Sequence, residues 1–181
     1  MRIIDTGRNR PKARFWDLFE LQSNRKKLVQ KPIIRQSRRD KTVLHGRFAV
    51  NQLLGRGYHR DTYDFDVFSP MPKAHALEIE RSIDRGTDSN LAFVEQTRYK
   101  QGKPLFRVRT RFNTVESDFV HIPKNVDFVV RDGVRYESLN SARGKYKGMI
   151  DRGDVHRFPN AFFDLNDVET YNLIKKNRRR R

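Results

Sequence analysis

Residues 62–68 read TYDFDVF, and this segment constrains the fold most because its side chains alternate in kind. A period of two predicts a β-strand with successive side chains on opposite faces. Tyr63, Phe65 and Val67 fall on one face, and Asp64, Asp66 and Phe68 fall on the other. We therefore predict a strand that presents two carboxylates together on one face.

Helical and strand patterns interleave along the rest of the chain. The spacing of apolar residues predicts helices at 14–30, 47–54, 73–85, 138–150 and 166–174. Pro32 is predicted to end the first helix, and Asn166 is a candidate cap for the last. Apolar and β-branched runs predict strands at 41–45, 91–97, 105–110 and 114–122, and a hairpin at 127–136. This interleaving predicts an α/β (α+β) fold in which helices flank a mixed β-sheet.

Charge is distributed unevenly along the 181 residues. The chain has 39 Lys and Arg against 22 Asp and Glu, a net charge of +17. Residues 1–41 carry +9 and residues 174–181 carry +6, while residues 42–173 are nearly neutral and hold most of the apolar periodicity. We therefore predict a basic N-terminal extension with a helix (1–41), a globular domain (42–173) and a basic disordered tail (174–181).

The composition excludes several classes of protein. With 36% hydrophobic residues and 13 Phe, the chain is too apolar for a fully disordered basic protein. It has no Cys, which excludes disulfides, thiolate zinc sites and a Cys nucleophile and fits an intracellular protein. No run of about 18 apolar residues and no apolar leader is visible, so we expect a protein that is neither membrane-spanning nor secreted. The positive balance predicts attraction to polyanions, nucleic acid first.

The first candidate element for chemistry is the turn at Gly46. A predicted strand ends at His45, and a predicted helix begins at about Arg47. Glycine allows a close backbone turn, and the free amides and dipole at a helix start attract phosphate. Arg47 adds a cation at the same place. The turn therefore predicts a phosphate-binding element.

The second candidate element is the pair of carboxylates on the predicted strand. Asp64 and Asp66 are two residues apart, so their Cα atoms lie about 7 Å apart on one face. Carboxylates at that separation can share one or two divalent ions, and Mg²⁺ prefers a few carboxylates together with phosphate oxygens. A third carboxylate from another strand is needed to place a second ion. Asp118 is the candidate, and Glu116, on the same face by period two, is the alternative.

These elements together resemble the nucleotidyltransferase fold of the DNA polymerase beta superfamily. The family pattern is a glycine turn, a [DE]h[DE]h strand and a third acid on a later strand. Here Gly46, the run from Arg60 to Asp66 and Asp118 match it over about residues 42–122. Residues 132–139 fit the family's later Gly-h-x-Tyr turn and extend the likeness to about residue 150. The resemblance is strongest to minimal versions found in abortive-infection toxins, phages and large DNA viruses.

The sequence departs from the family pattern at one position. Arg47 stands where the family has a second small residue, glycine or serine. A bulky Arg at that position either pairs with a phosphate or obstructs the site.

The resemblance implies a metal-dependent transfer of a nucleoside monophosphate from ATP or another nucleoside triphosphate to a hydroxyl acceptor on RNA or protein, with release of pyrophosphate. The implied cofactor is Mg²⁺ or Mn²⁺. The implied catalytic and metal-binding residues are Asp64, Asp66 and Asp118. The candidate nucleotide-binding residues are Gly46, Arg47, Arg60, Thr62 and Lys145.

An alternative is a catalytically inactive protein of this fold, or another basic protein, that binds nucleic acid in a structural role, for example in a virion. The candidate nucleic-acid-binding residues are Lys175, Lys176, Arg178, Arg179, Arg180 and Arg181. Phosphate neutralisation by such residues is independent of base sequence. A protein acceptor or an antitoxin is the other partner that the resemblance implies, and the location is cytoplasmic or virion-associated.

Overall fold

The computed structural model describes residues 1–7, 9–98, 102–153 and 158–178. Within them, eight strands form one mixed sheet in the order β1-β4-β5-β6-β3-β2-β8-β7. The strands are β1 (Arg2–Ile4), β2 (Val43–His45), β3 (Phe65–Ser69), β4 (Ala92–Arg98), β5 (Pro104–Thr110), β6 (Val115–His121), β7 (Phe128–Arg131) and β8 (Val134–Glu137). The pairs β3–β6 and β2–β8 are parallel, and the other neighbours are antiparallel.

Helices accompany the sheet on both faces. They are α1 (Phe15–Arg25), α2 (Lys31–Asp40), α3 (Gly46–Leu53), α4 (Pro72–Gly86), α5 (Leu139–Asp151) and α6 (Phe158–Arg178). A π-helical turn (Lys26–Gln30) joins α1 to α2, and a short 3₁₀ turn (Arg56–Tyr58) follows α3. This arrangement confirms the predicted α+β fold with a mixed sheet. No helix among the described residues has the length and apolar character needed to span a membrane.

The largest apolar cluster lies between one face of the sheet and helices α1, α2 and α4. Phe65 and Val67 of β3 are buried in it, as the alternation predicts, but Tyr63 lies before the strand and is 77% exposed. The segment predicted as an N-terminal extension also contributes to this cluster, through Leu21 and Ile33. A second cluster joins α3, α5 and α6.

The helical segment that begins at Phe15 does not end at Pro32, so that prediction was wrong. The amide of Lys31 donates to the carbonyl of Lys26 five residues earlier, which widens the turn. Pro32 therefore falls in the first turn of α2, where the missing amide hydrogen is not needed. The chain stays helical as far as Asp40.

The last helix differs from its prediction at both ends. It begins at Phe158, so Asn166 lies in its interior and does not cap it. It continues to Arg178, so residues 174–178 are helical where the sequence predicts a disordered tail. Arg179, Arg180 and Arg181 lie outside the described residues.

Candidate active site

Strand pairing brings the predicted carboxylates together. Strands β3 and β6 run parallel, and Asp66 lies directly opposite Asp118 in their register. Asp64 comes just before β3, with the Thr62 hydroxyl 3.3 Å from its Oδ1. The three Asp residues line one cavity of about 280 Å³ that opens beside Gly46 and Lys145, which we call the carboxylate cavity.

The alternative third carboxylate, Glu116, is committed elsewhere. It is 1% exposed, and its Oε2 accepts from Arg25 Nε at 2.8 Å. Its Oε1 accepts from the hydroxyl of Thr114 at 2.9 Å. Glu116 does not line the carboxylate cavity, so the geometry favours Asp118 as the partner of Asp66.

Glycine is required at position 46 both by the backbone conformation and by the neighbouring side chain. Its φ is +67°, in the left-handed region that L-residues with a Cβ rarely adopt. A Cβ at this position would overlap Oδ2 of Asp66. The turn therefore brings the start of α3 against the carboxylate, which joins the predicted phosphate element and the predicted metal element in one place.

Arg107 is the residue of this site that the sequence analysis missed. It lies opposite Asp118 on β5 and binds it with two hydrogen bonds, Nε to Oδ1 at 2.8 Å and an Nη to Oδ2 at 2.7 Å. The hydrogen bonds that it donates to Asp118 raise the pKa of the Arg107 guanidinium above its usual value. The only sequence signal was the alternation of Arg107 and Arg109 with Val108, which predicts that both arginines share one face of the strand.

The carboxylates suit a divalent cation in kind, because ionised carboxylate oxygens are the ligands that Mg²⁺ prefers. Each oxygen of Asp118 accepts one hydrogen bond from Arg107, so a cation would have to share this carboxylate with the guanidinium or displace it. Among the described residues, no group of three His, Cys, Asp or Glu side chains is arranged as a metal-binding cluster. The donor set therefore fits a cation at Asp64 and Asp66, with Asp118 as a conditional third ligand.

Arg47 and Arg60 both bind helix α6. Arg47 donates to Asp164 at 2.9 Å and to Asp167 at 3.1 Å, and it also donates to the Tyr58 carbonyl. Arg60 pairs with Asp167 at 2.6 Å. Burial raises the pKa of Asp164, and the two guanidiniums act in the opposite direction. The two arginines therefore tie α6 to α3 and to the loop before β3, and a phosphate would have to compete with these carboxylates.

Lys145 reaches the glycine turn from α5. Its Nζ lies 3.1 Å from Nδ1 of His45 and 3.7 Å from Oε2 of Glu137. Burial, and then the charge of Lys145, holds the pKa of His45 well below its usual value, so the imidazole is neutral and accepts from the ammonium. The ring of His45 is stacked on Phe68 with 3.7 Å between centroids. Lys145 is therefore a fixed cation at the carboxylate cavity.

A larger cavity of about 600 Å³ adjoins the carboxylate cavity, and Asp64 lines both. Arg25, Asp61, Thr62 and Tyr63 line the larger one. Small-molecule sites in proteins commonly measure about 300–1,000 Å³, so the two cavities together are large enough for a nucleotide.

Comparison with solved structures identifies the fold. The Megavirus polyadenylate synthase matches this chain with a TM-score of 0.63 at 14% sequence identity. The match covers 87% of this chain and 35% of the Megavirus chain, so this chain spans about a third of that enzyme. The likeness confirms the nucleotidyltransferase-like fold that the glycine turn and the acidic strand predict.

Two other matches are looser. The Helicobacter pylori protein JHP933 aligns at 18% identity over 75% of this chain and 58% of its own, with a TM-score of 0.43. A candidate nucleotidyltransferase from H. pylori aligns at 17% identity over 74% and 59%, with a TM-score of 0.39. Both overlays are too loose to define the fold. No family model matches the sequence, and neither does any curated protein.

Proposed function

We propose that this protein is a nucleotidyltransferase that moves a nucleoside monophosphate from a nucleoside triphosphate to a hydroxyl group on RNA or protein. One observation carries the proposal. Asp64, Asp66 and Asp118 line the cavity into which the Gly46 turn and the start of α3 also open. A polyphosphate site and a carboxylate site then adjoin, as transfer of a nucleotidyl group requires.

The chain's own residues have separate tasks in this proposal. The amides at the start of α3 and the ammonium of Lys145 bind the triphosphate and neutralise part of its charge. Thr62 orients the Asp64 carboxylate through its hydroxyl. One carboxylate of the site accepts the proton of the acceptor hydroxyl, and Asp118 is the family-like candidate.

Asp64 and Asp66 would hold Mg²⁺ or Mn²⁺, and Asp118 would join them when Arg107 releases it. Bound divalent ions neutralise charge on the phosphates during an in-line displacement. While no cation is bound, Arg107 neutralises the charge of Asp118. This reduces the repulsion between Asp118 and Asp66, which face each other on β6 and β3.

The test is transfer of label from radioactive nucleoside triphosphates to RNA, to the protein itself and to candidate protein acceptors, with Mg²⁺ or Mn²⁺. Asp66→Asn should lower transfer by about a thousandfold, because the chemistry depends on positioning and charge neutralisation. Asp151→Asn is the matched control, since Asp151 is exposed and lines neither of the two cavities. Equal transfer by the wild type and by Asp66→Asn would refute the proposal.

A second candidate function is nucleic-acid binding without catalysis. Two observations favour it: Arg107 occupies both oxygens of Asp118, and Arg47 is bound by acids of α6. In this case Lys175 and Lys176, which are exposed on α6, would contact phosphates together with the arginines that follow them. Divalent-dependent thermal stabilisation by a nucleoside triphosphate would support catalysis. Its absence, with nucleic-acid binding retained, would support the second candidate.

A further inference from the structure

A second large cavity lies on the helical side of the molecule, by which we mean the side of the sheet that α2 and α4 cover. It measures about 600 Å³ and runs between the π turn with α2 on one wall and α4 on the other. Lys27 and Arg35 line the first wall, and Arg81 and Arg85 line the second. All four are exposed, and we call this cavity the back groove.

The charge of the back groove is not balanced by acids. The acidic residues that line it are Asp40 and Glu78, and Arg39 pairs with both, at 2.6 Å and 2.9 Å. The other four cations have no ion-pair partner within the described part of the chain. Unpaired cations that share one concave surface create a positive potential that attracts anions.

The back groove is separate from the candidate active site. Side chains alternate between the two faces along β3. Val67 therefore lies on the face that packs against Ile79 and Ile83 of α4, and Asp66 lies on the opposite face. Arg81 and Arg85 lie on the outer side of the same helix. The sheet and the α4 layer therefore stand between the groove and the carboxylates.

The spacing of the cations fits a chain of phosphates. Lys27 and Arg35 are eight helical residues apart, which is about 12 Å along the axis at 1.5 Å per residue. Arg81 and Arg85 are one turn apart, about 6 Å on the same measure. Each strand of a double helix carries one phosphate per about 3.4 Å of axis, and an unpaired strand is more extended, so about two to four phosphates match the length of the groove.

We infer that the back groove binds the sugar–phosphate backbone of a single-stranded nucleic acid, independently of base sequence. Helices that pack together have axes about 8–10 Å apart, so the groove between α2 and α4 admits one strand. A flat layer of lipid headgroups does not follow a concave surface, and a free mononucleotide would use only one or two of the four cations. The inference does not depend on transfer activity at the carboxylates.

The test uses the full chain with labelled oligouridine and oligothymidine of equal length, titrated at several NaCl concentrations. Each lost phosphate contact lowers the slope of log K against log salt by about 0.7 for a single strand. Arg35→Glu with Arg85→Glu should therefore reduce the slope by about 1.4 and weaken binding by about tenfold at low salt. Lys27→Gln with Arg81→Gln should give a similar change in slope without reversing any charge.

The matched control is Lys103→Glu with Lys124→Glu, which makes the same change in net charge at exposed positions outside the groove. It should leave the slope unchanged, since the inference is about position and not total charge. An equal loss in the control, or an unchanged slope in both groove pairs, would overturn the inference. So would a groove pair that keeps RNA and DNA binding but loses binding to vesicles of phosphatidylcholine with phosphatidylserine. The loss should be similar for oligouridine and oligothymidine, and a loss confined to one of them would overturn the inference.

Discussion

Charged residues are paired on one side of the sheet and largely unpaired on the other. On the carboxylate side the guanidiniums that line the two cavities are paired with acids, for example Arg107 with Asp118 and Arg47 with Asp164. On the helical side the acids Glu80 and Asp84 are buried without a salt bridge among the described residues. Four of the five cations of the back groove, on the same side, are exposed and have no ion-pair partner among the described residues.

The difference shows that net charge alone says little about this protein. A paired arginine on the carboxylate side fixes geometry and adds no field at long range, while an unpaired one on the helical side is available to a ligand. A buried acid without a cation is instead a source of pH dependence. Four substitutions test this contrast, and the control for each is a substitution at another residue of the same type.

The largest effect is expected at Arg47. Arg47→Met removes the more buried of the two cations that bind Asp164 and Asp167. Because Arg60 remains beside both, the loss should lie near the lower end of the range of about 3–5 kcal/mol that breaking a buried pair costs. Urea unfolding measures the loss. Arg143→Met is the control, because Arg143 pairs with Glu169 of the same helix at the surface and should cost under about 1 kcal/mol. Similar losses in both would mean that burial of the pair is unimportant.

The next effect concerns Asp84, whose pKa burial raises to about 6. Because the folded state holds this proton more tightly than the unfolded state, the contribution of Asp84 to stability is greatest below about pH 4 and is lost as pH rises through 6. The fall contributed by Asp84 is about 3 kcal/mol, and it should vanish in Asp84→Asn. Glu80, whose pKa burial also raises, contributes a slope of the same sign, while His45 and His75, whose pKa values burial lowers, contribute slopes of the opposite sign.

Urea unfolding at several pH values between 4 and 8 checks this. Asp84→Asn keeps an oxygen for the amides of Leu91 and Ala92, which donate to Oδ1 in the wild type. Asp88→Asn, at an exposed position nearby, should leave the pH dependence unchanged. Equal pH dependence of stability in the wild type and in Asp84→Asn between pH 4 and 8 would contradict the assignment.

The third effect separates backbone strain from the contact with the carboxylate. Gly46→Ala adds a Cβ that displaces Asp66, and a misplacement of about 1 Å lowers catalysis by about a hundredfold. Gly102→Ala carries the same backbone penalty, with φ at +74°, but its Cβ meets nothing within 4 Å. Steady-state transfer rates should fall in the first variant alone. Equal rates in the two variants would show that Asp66 tolerates the shift.

The smallest effect concerns the pairing of Asp118. Arg107→Gln frees this carboxylate, so the Mg²⁺ concentration for half-maximal transfer should fall by about tenfold. Arg109→Gln is the control, since Arg109 lies on the same strand and pairs with Glu95. A higher Mg²⁺ requirement in Arg107→Gln would mean that the guanidinium assists the site.

Local patterns predicted much of the fold. The alternation at 62–68 identified β3, and the apolar spacing at 73–85 identified α4, because both are one-dimensional periods that packing preserves. The continuation of the helical segment past Pro32 was not predicted, because no residue pattern in the sequence indicates a widened helical turn. The start of α6 at Phe158 was missed as well.

The site was predictable to the extent that one short segment defines it. Gly46, Asp64 and Asp66 lie within 21 residues, and Asp118 needed only a second strand. The pairing of Arg107 with Asp118 depends on the register between β5 and β6, and the pairing of Arg47 with Asp164 joins residues 117 positions apart. Such contacts follow from tertiary structure, which periodicity does not encode.

Strand β1 has a practical consequence for handling this protein. Its three residues pair with Val94–Gln96 of β4, which is otherwise a seven-residue strand at the edge of the sheet. Edges of that length are templates for association between molecules, and short covering strands are one way in which proteins prevent it. A truncated form that begins after Ile4 should therefore aggregate during expression and purification, although it loses no residue of the candidate active site.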